Sequence, residues 1–237
     1  MFTAAALVPS PPILVPELNG ADPGNSAELR AAAIAVASEL GAGARKWTVV
    51  GVGETEETLG PDGRGTFRGF GKDVEVALSD RRIGRADPKM PLAALIAGWL
   101  RGVAAPGTSL ECRVLAVDTS PIYCAQLGST LRRELDDDPE PHGLLVVADG
   151  ATTLTAKAPG SFDERAPEFQ ADLDRALTDG DYEFLAQLDP VVCIELGVSG
   201  RAAWQVLAAV FAGRPTCKTL YSAAPFGVGY HVGTWTP

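Results

Sequence analysis

The sequence predicts an α/β protein: a three-layer α/β/α sandwich in which helices cover both faces of a mostly parallel, mixed central sheet. Short apolar runs that read as buried strands alternate with helix-length segments, which is the pattern of βα units. Two strand-like segments in succession close the chain, and they make the sheet mixed rather than purely parallel. With 237 residues, 46% hydrophobic and 21% charged, there is enough chain for one large α/β domain or two small ones. One domain over 1–237 is the simpler reading.

Taken in order, FTAAALV (2–8) is a first strand and SAELRAAAIAVASELGA (26–42) a helix with a serine N-cap, alanine-rich spacing and a glycine stop. KWTVVGVG (46–53) is the next buried strand. Residues 54–71 are rich in glycine and charge and read as a long loop or short hairpin over the strand ends. VEVAL (74–78) reads as an edge strand, PLAALIAGWLRGVA (91–104) as an apolar helix started by proline, and CRVLAVD (112–118) as a third core strand. SPIYCAQLGSTLRREL (120–135) is a further helix, and the acidic turn DDDPEPHG leads into the strand GLLVVADG (143–150). A Thr-rich loop follows, then helices over 164–177, 181–188 and 200–211, and finally the strands CKTLYSA (217–223) and GVGYHVGTW (227–235).

Several classes of function are excluded at this level. The formal charge is −10 and lysines and arginines never gather into a run, so nucleic acid is not expected as a partner. The apolar first 18 residues lack a basic start and are interrupted by Pro9, Pro11, Pro12 and Pro16, so they read as a buried strand and not a signal peptide. No later apolar run reaches the roughly 20 residues of a membrane-spanning helix. Cys112, Cys124, Cys193 and Cys217 are far apart and form no C-x-x-C pair, so reduced thiols in a cytoplasmic protein are expected.

In open α/β sheets ligands bind outside the carboxyl ends of the strands. That rule selects Pro9 and Ser10, Gly53 and Glu54, Asp118 to Ser120, and Asp149 to Thr153. The glycines of VVGVGETEETLG complete no G-x-G-x-x-G and are followed by carboxylates, which disfavours a phosphate. The loop ADGATTLTAKAPG, with Thr152, Thr153 and Lys157, suits either a small anion or oxygen-rich ligand or a plain hydroxyl-capped turn. Asp118 and Asp149 each end an apolar strand, where a carboxylate serves as ligand or base, or caps the element that follows. His142, in an acidic turn, is expected to be solvated, and His231, in the last strand beside Tyr230, to be structural or exposed. Ser10 has no G-x-S-x-G context, so the sequence assigns no catalytic nucleophile.

A strand followed by V-P-x-P-P-x-L-V-P-E-L resembles the opening of the catalytic B subunits of class III extradiol ring-cleavage dioxygenases, a superfamily that includes the Memo-like proteins. The resemblance continues through VVADGATTLTAKAPGSFDERAPEFQADLDRAL, LAQLDPVVCIELGVSGRAAWQVLAA and APFGVGYHVGTW. It implies a non-haem Fe(II) enzyme that inserts both atoms of O₂ into a catechol-type ring, with iron held by two histidines and a carboxylate and a further histidine as acid/base. It also implies a homodimer. In this chain Ser10 stands where the first iron histidine belongs, Glu54, Glu56, Glu57 and Asp62 occupy the region of the second, and threonines with Lys157 occupy that of the acid/base histidine. Glu195 corresponds to the carboxylate ligand.

The family mechanism needs three histidines, whereas this chain has two, neither at a matching position. The expectation is therefore a superfamily member with a degenerate iron site, a small-molecule-binding protein or divergent enzyme whose ligand is unknown. Its pocket is expected around Ser10, Glu54, Asp118, Ser120, Asp149, Thr152, Thr153 and His231. No cofactor is expected, with Fe(II) the cofactor if the family chemistry is retained; any divalent metal would then be held by Glu54, Glu195 and His231. The alternatives are an active extradiol dioxygenase on a catechol-type substrate and a Memo-like, non-enzymatic interaction module.

Overall fold

The computed structural model describes residues 1–19, 26–81, 84–211 and 213–237. Its centre is a seven-stranded sheet in the order β3-β6-β2-β7-β1-β9-β8. The four inner strands β6 (Ser109–Ala116), β2 (Lys46–Gly53), β7 (His142–Val147) and β1 (Phe2–Val8) run parallel. β9 (Tyr230–Thr236) pairs antiparallel with β1, β8 (Thr216–Ala223) antiparallel with β9, and β3 (Glu57–Leu59) antiparallel with β6. The mostly parallel, mixed sheet expected from the alternation of elements is present.

Both faces of the inner strands are covered, as the near-continuous apolar runs of β1, β2 and β7 require; β6 alternates instead, with Glu111 and Arg113 between its buried residues. On one face α1 (Ala27–Gly43) and α2 (Leu92–Ala104) pack on Ala6, Val8, Trp47, Val49, Leu145 and Val147. On the other, α3 (Pro121–Asp137), α4 (Ala166–Asp179), α5 (Tyr182–Ala186), α6 (Pro190–Glu195) and α7 (Arg201–Phe211) enclose a second core with Leu7, Val50, Leu115, Leu144 and Trp235. Among the described residues no helix is long and apolar enough to cross a membrane.

The structure differs from expectation in three elements. VEVAL is not an edge of the main sheet: β5 (Glu75–Ala77) pairs with β4 (Arg64–Thr66) in a separate two-stranded ribbon, and the edge position beside β6 belongs to β3. α6 was not foreseen, since six residues are too few to show a helical period. Ser26 precedes α1 without capping it; its hydroxyl instead receives the side chains of Asn19 and Arg30.

Candidate functional site

Val8 of β1 lies opposite Val147 of β7, so the segments that follow, Pro9–Ser10 and Ala148–Asp149, leave the sheet side by side at its carboxyl edge. Pro9, Pro11 and Pro12 carry no N–H, which leaves Ser10 with the one backbone donor between Val8 and Ile13. That amide donates to Asp149 Oδ1 at 2.8 Å, and the Ser10 hydroxyl donates to Asp149 Oδ2. The prolines therefore hold one serine so that both its donors meet one carboxylate. Downstream, Leu14 and Val15 are buried, and the Arg30 guanidinium ties down the carbonyls of Ile13 and Leu14.

Burial pushes the Asp149 carboxyl above the usual carboxylate range, while the two Ser10 bonds, which favour the ionised form, pull the other way and are outweighed. Tyr230, 5% exposed at the start of β9, has its phenol pushed up by burial and then by the charge of Asp149. Asp149 caps nothing: it is the acceptor of the Ser10 pair. Asp118 also caps nothing; it is exposed and makes no hydrogen bond or ion pair with a described residue, and Ser120 caps α3 by accepting from the Tyr123 amide at 3.3 Å. Neither carboxylate takes the capping role open to it in the sequence.

The Thr-rich loop is folded against the end of α6. The Thr152 amide and the Thr153 hydroxyl both donate to the carbonyl of Leu196, and the Thr153 carbonyl receives the Asp163 amide. Thr153 thus serves the turn. Glu195 faces away into solvent contact and pairs with Arg165 at 2.8 Å, which Asp163 also engages at 2.7 Å. Glu54 is exposed just past β2.

His231 is 3% exposed, and neither ring nitrogen has a hydrogen-bond partner among the described residues. Burial alone pushes its pKa down to about 4. His142 departs from expectation. It is half-buried at the amino end of β7, with Nδ1 3.0 Å from Asp138 and Nε2 3.1 Å from Thr48 Oγ1, because the parallel register sets it beside Lys46 at the start of β2. Desolvation lowers its pKa against the pull of Asp138. It lies at the opposite end of the strands from Ser10.

The residues present do not fit an iron site. Among the described residues no three His, Cys, Asp or Glu side chains form a group able to hold a metal ion, so Glu54, Glu195 and His231 do not come together as ligands. Ser10 is committed to Asp149 and Glu195 to Arg165.

Two participants at this edge escaped the sequence reading. Arg201, 1% exposed at the start of α7, donates to the carbonyls of Val117 and Thr119 and to Gln205 Oε1, fixing the turn that carries Asp118 and Ser120. Its signal was a lone charge opening an otherwise apolar helix. Gln170 receives the Ala151 amide at 2.8 Å and donates to Asp174 at 2.8 Å, holding the loop after β7 onto α4. Beyond it, Thr155, Ala156 and Lys157 face the turn Ala224 to Gly227 across a cavity of about 470 Å³.

No family model matches the chain, and no curated protein matches it. A solved structure does: an uncharacterised Escherichia coli K12 protein, JW3007, is similar over 99% of this chain and 100% of that one, with a TM-score of 0.50 and 11% sequence identity. Similarity at that identity is one of fold.

Proposed function

We propose that this chain is a small-molecule-binding protein on a class III extradiol dioxygenase-like fold, without that family's iron chemistry. The observation that carries the reading is the Ser10–Asp149 pair. Both donors of Ser10 are spent on one carboxylate, at the position where the sequence resemblance calls for an iron histidine. A neutral hydroxyl is a weak ligand for Fe(II), and this one is oriented by its bond to Asp149. The strand-end loops nonetheless keep a formed cleft at the edge where α/β folds take ligands.

The test is elemental analysis of tag-free protein after anaerobic incubation with Fe(II), Mn(II) and Zn(II), paired with oxygen uptake over a panel of catechols. The reading expects no stoichiometric metal and no uptake, together with saturable binding of one or more small aromatic compounds by NMR. Stoichiometric iron accompanied by catechol-dependent uptake overturns it in favour of an active dioxygenase.

A further inference from the structure

We infer that the ligand of the cleft between the Thr-rich loop and the β8–β9 turn is a small apolar carboxylate, held by Lys157. This rests on the small-molecule-binding reading and names the chemical class of the ligand.

The walls of the cleft are sewn together by backbone. Gly150 donates to the Gly229 carbonyl, Gly229 to that of Ala151, and Leu154 to that of Gly227, at 2.8, 2.9 and 3.3 Å. Gly227 has φ +71°, and a Cβ there would lie 2.5 Å from Thr155 Oγ1 and 2.6 Å from Ala158 Cβ, so the turn leans on the loop as closely as glycine allows. A cleft fixed in this way need not be ordered by its ligand, which lowers the cost of binding.

Its lining selects the ligand. Ala156, Ala224, Pro225 and Phe226 give an apolar surface, Thr155 a hydroxyl and Lys157 an ammonium, in a volume of 470 Å³. Lys157 makes no hydrogen bond or ion pair with any described residue. In a chain of net charge −10 this is unusual company for a cavity. The cavity at α4 and α5 is lined by Asp172, Asp179, Asp181 and Glu183, and the groove beside α2 by Glu17 and Glu75. The cavity over the β4–β5 ribbon has Asp73 and Glu75, and the fifth, beside Ala44, has Glu140. Of these five, the Lys157 cleft alone offers a cation with no carboxylate to neutralise it. A ligand with one carboxylate and an aromatic or aliphatic body matches it: the carboxylate meets the ammonium and the Thr155 hydroxyl, and the body covers Pro225 and Phe226.

The experiment is a protein-observed NMR titration of the full chain with benzoate, phenylacetate and 3-phenylpropionate, each against its uncharged amide, repeated on Lys157→Met and Lys157→Arg. The expected result is saturable shifts at Thr155, Lys157 and Gly227, and binding that weakens about fivefold in Lys157→Met and for each amide, the size of one exposed ion pair. Lys157→Arg keeps the affinity. Equal binding of acid and amide, or an unchanged Lys157→Met, overturns the carboxylate assignment while leaving a small-molecule site in place. Absence of binding by all six probes also overturns it; the wider reading fails only if the catechol panel, titrated in the same way, is silent as well.

Discussion

His231 carries a cost that its neighbours do not repay. Both ring nitrogens are enclosed without partners among the described residues, and an unsatisfied buried polar group costs about 1–3 kcal/mol. His231→Leu is therefore expected to leave the protein as stable or more stable at pH 7. The pH dependence has a definite sign. The unfolded imidazole titrates near 6.5 and the folded one at about 4, so below 6.5 the unfolded chain binds the extra proton and stability falls as pH drops through that window. At pH 5 the term amounts to about 2 kcal/mol. His142, also shifted down, contributes with the same sign, and comparing wild type with variant cancels it. Urea midpoints at pH 7 and pH 5 measure the difference: the wild type must lose about 2 kcal/mol more than His231→Leu on that step. At this scale the sequence made Ser10 conspicuous through its prolines, but not its partner. Asp149 is 139 residues away, and only the register of β1 on β7 brings the two together.

At the scale of elements, the crossing of α3 and α7 is set by one missing side chain. A Cβ on Gly128 would lie 2.6 Å from both Ala209 Cβ and the Val206 carbonyl oxygen, whereas one on Gly102 of α2 would meet nothing within 4 Å. Both glycines weaken their helices by roughly 1 kcal/mol relative to alanine. Gly102→Ala is thus expected to stabilise, and Gly128→Ala to destabilise by about 1–2 kcal/mol, because backbone on the facing helix has to move. Thermal unfolding of the two variants side by side checks the pair; a Gly128→Ala protein as stable as wild type would mean the crossing is looser than described. The same distinction governs what was legible. β1, β2 and β7 are near-continuous apolar runs and read directly from the sequence, whereas β6 alternates, with Glu111 and Arg113 between its buried residues, and its first three residues are strand only through pairing with β2. β3 is a strand only because Glu57 to Leu59 find the open edge of β6. α6 has its start written in Asp189–Pro190, with the Asp189 carboxylate accepting from Val191 and Val192, but no length in which to show a period.

The molecule as a whole is closed by its last strand. Alternating strands and helices announce a sandwich without giving the strand order, since the pattern of one chain segment says nothing of which neighbour it pairs with. The order places β9 between β1, the first strand, and β8, so the carboxyl-terminal segment completes a sheet whose inner half is built from the first 147 residues. Trp235 is its anchor. The indole is 1% exposed, donates from Nε1 to the Leu177 carbonyl at 2.8 Å and meets Phe211 edge-on at 5.3 Å between ring centroids; Phe211 in turn meets Phe2 of β1 at 5.5 Å. One side chain thus joins β9 to α4, α7 and, through Phe211, the first strand. Trp235→Ala removes that junction and is expected to cost about 3–5 kcal/mol, a large part of the roughly 5–15 kcal/mol that holds a domain folded. If β9 were merely laid on a sheet already stable without it, the loss would be confined to β8 and β9, and hydrogen exchange would show β2, β6 and β7 protected as in the wild type. Closure by β9 predicts instead that protection in those inner strands falls together with the global unfolding free energy.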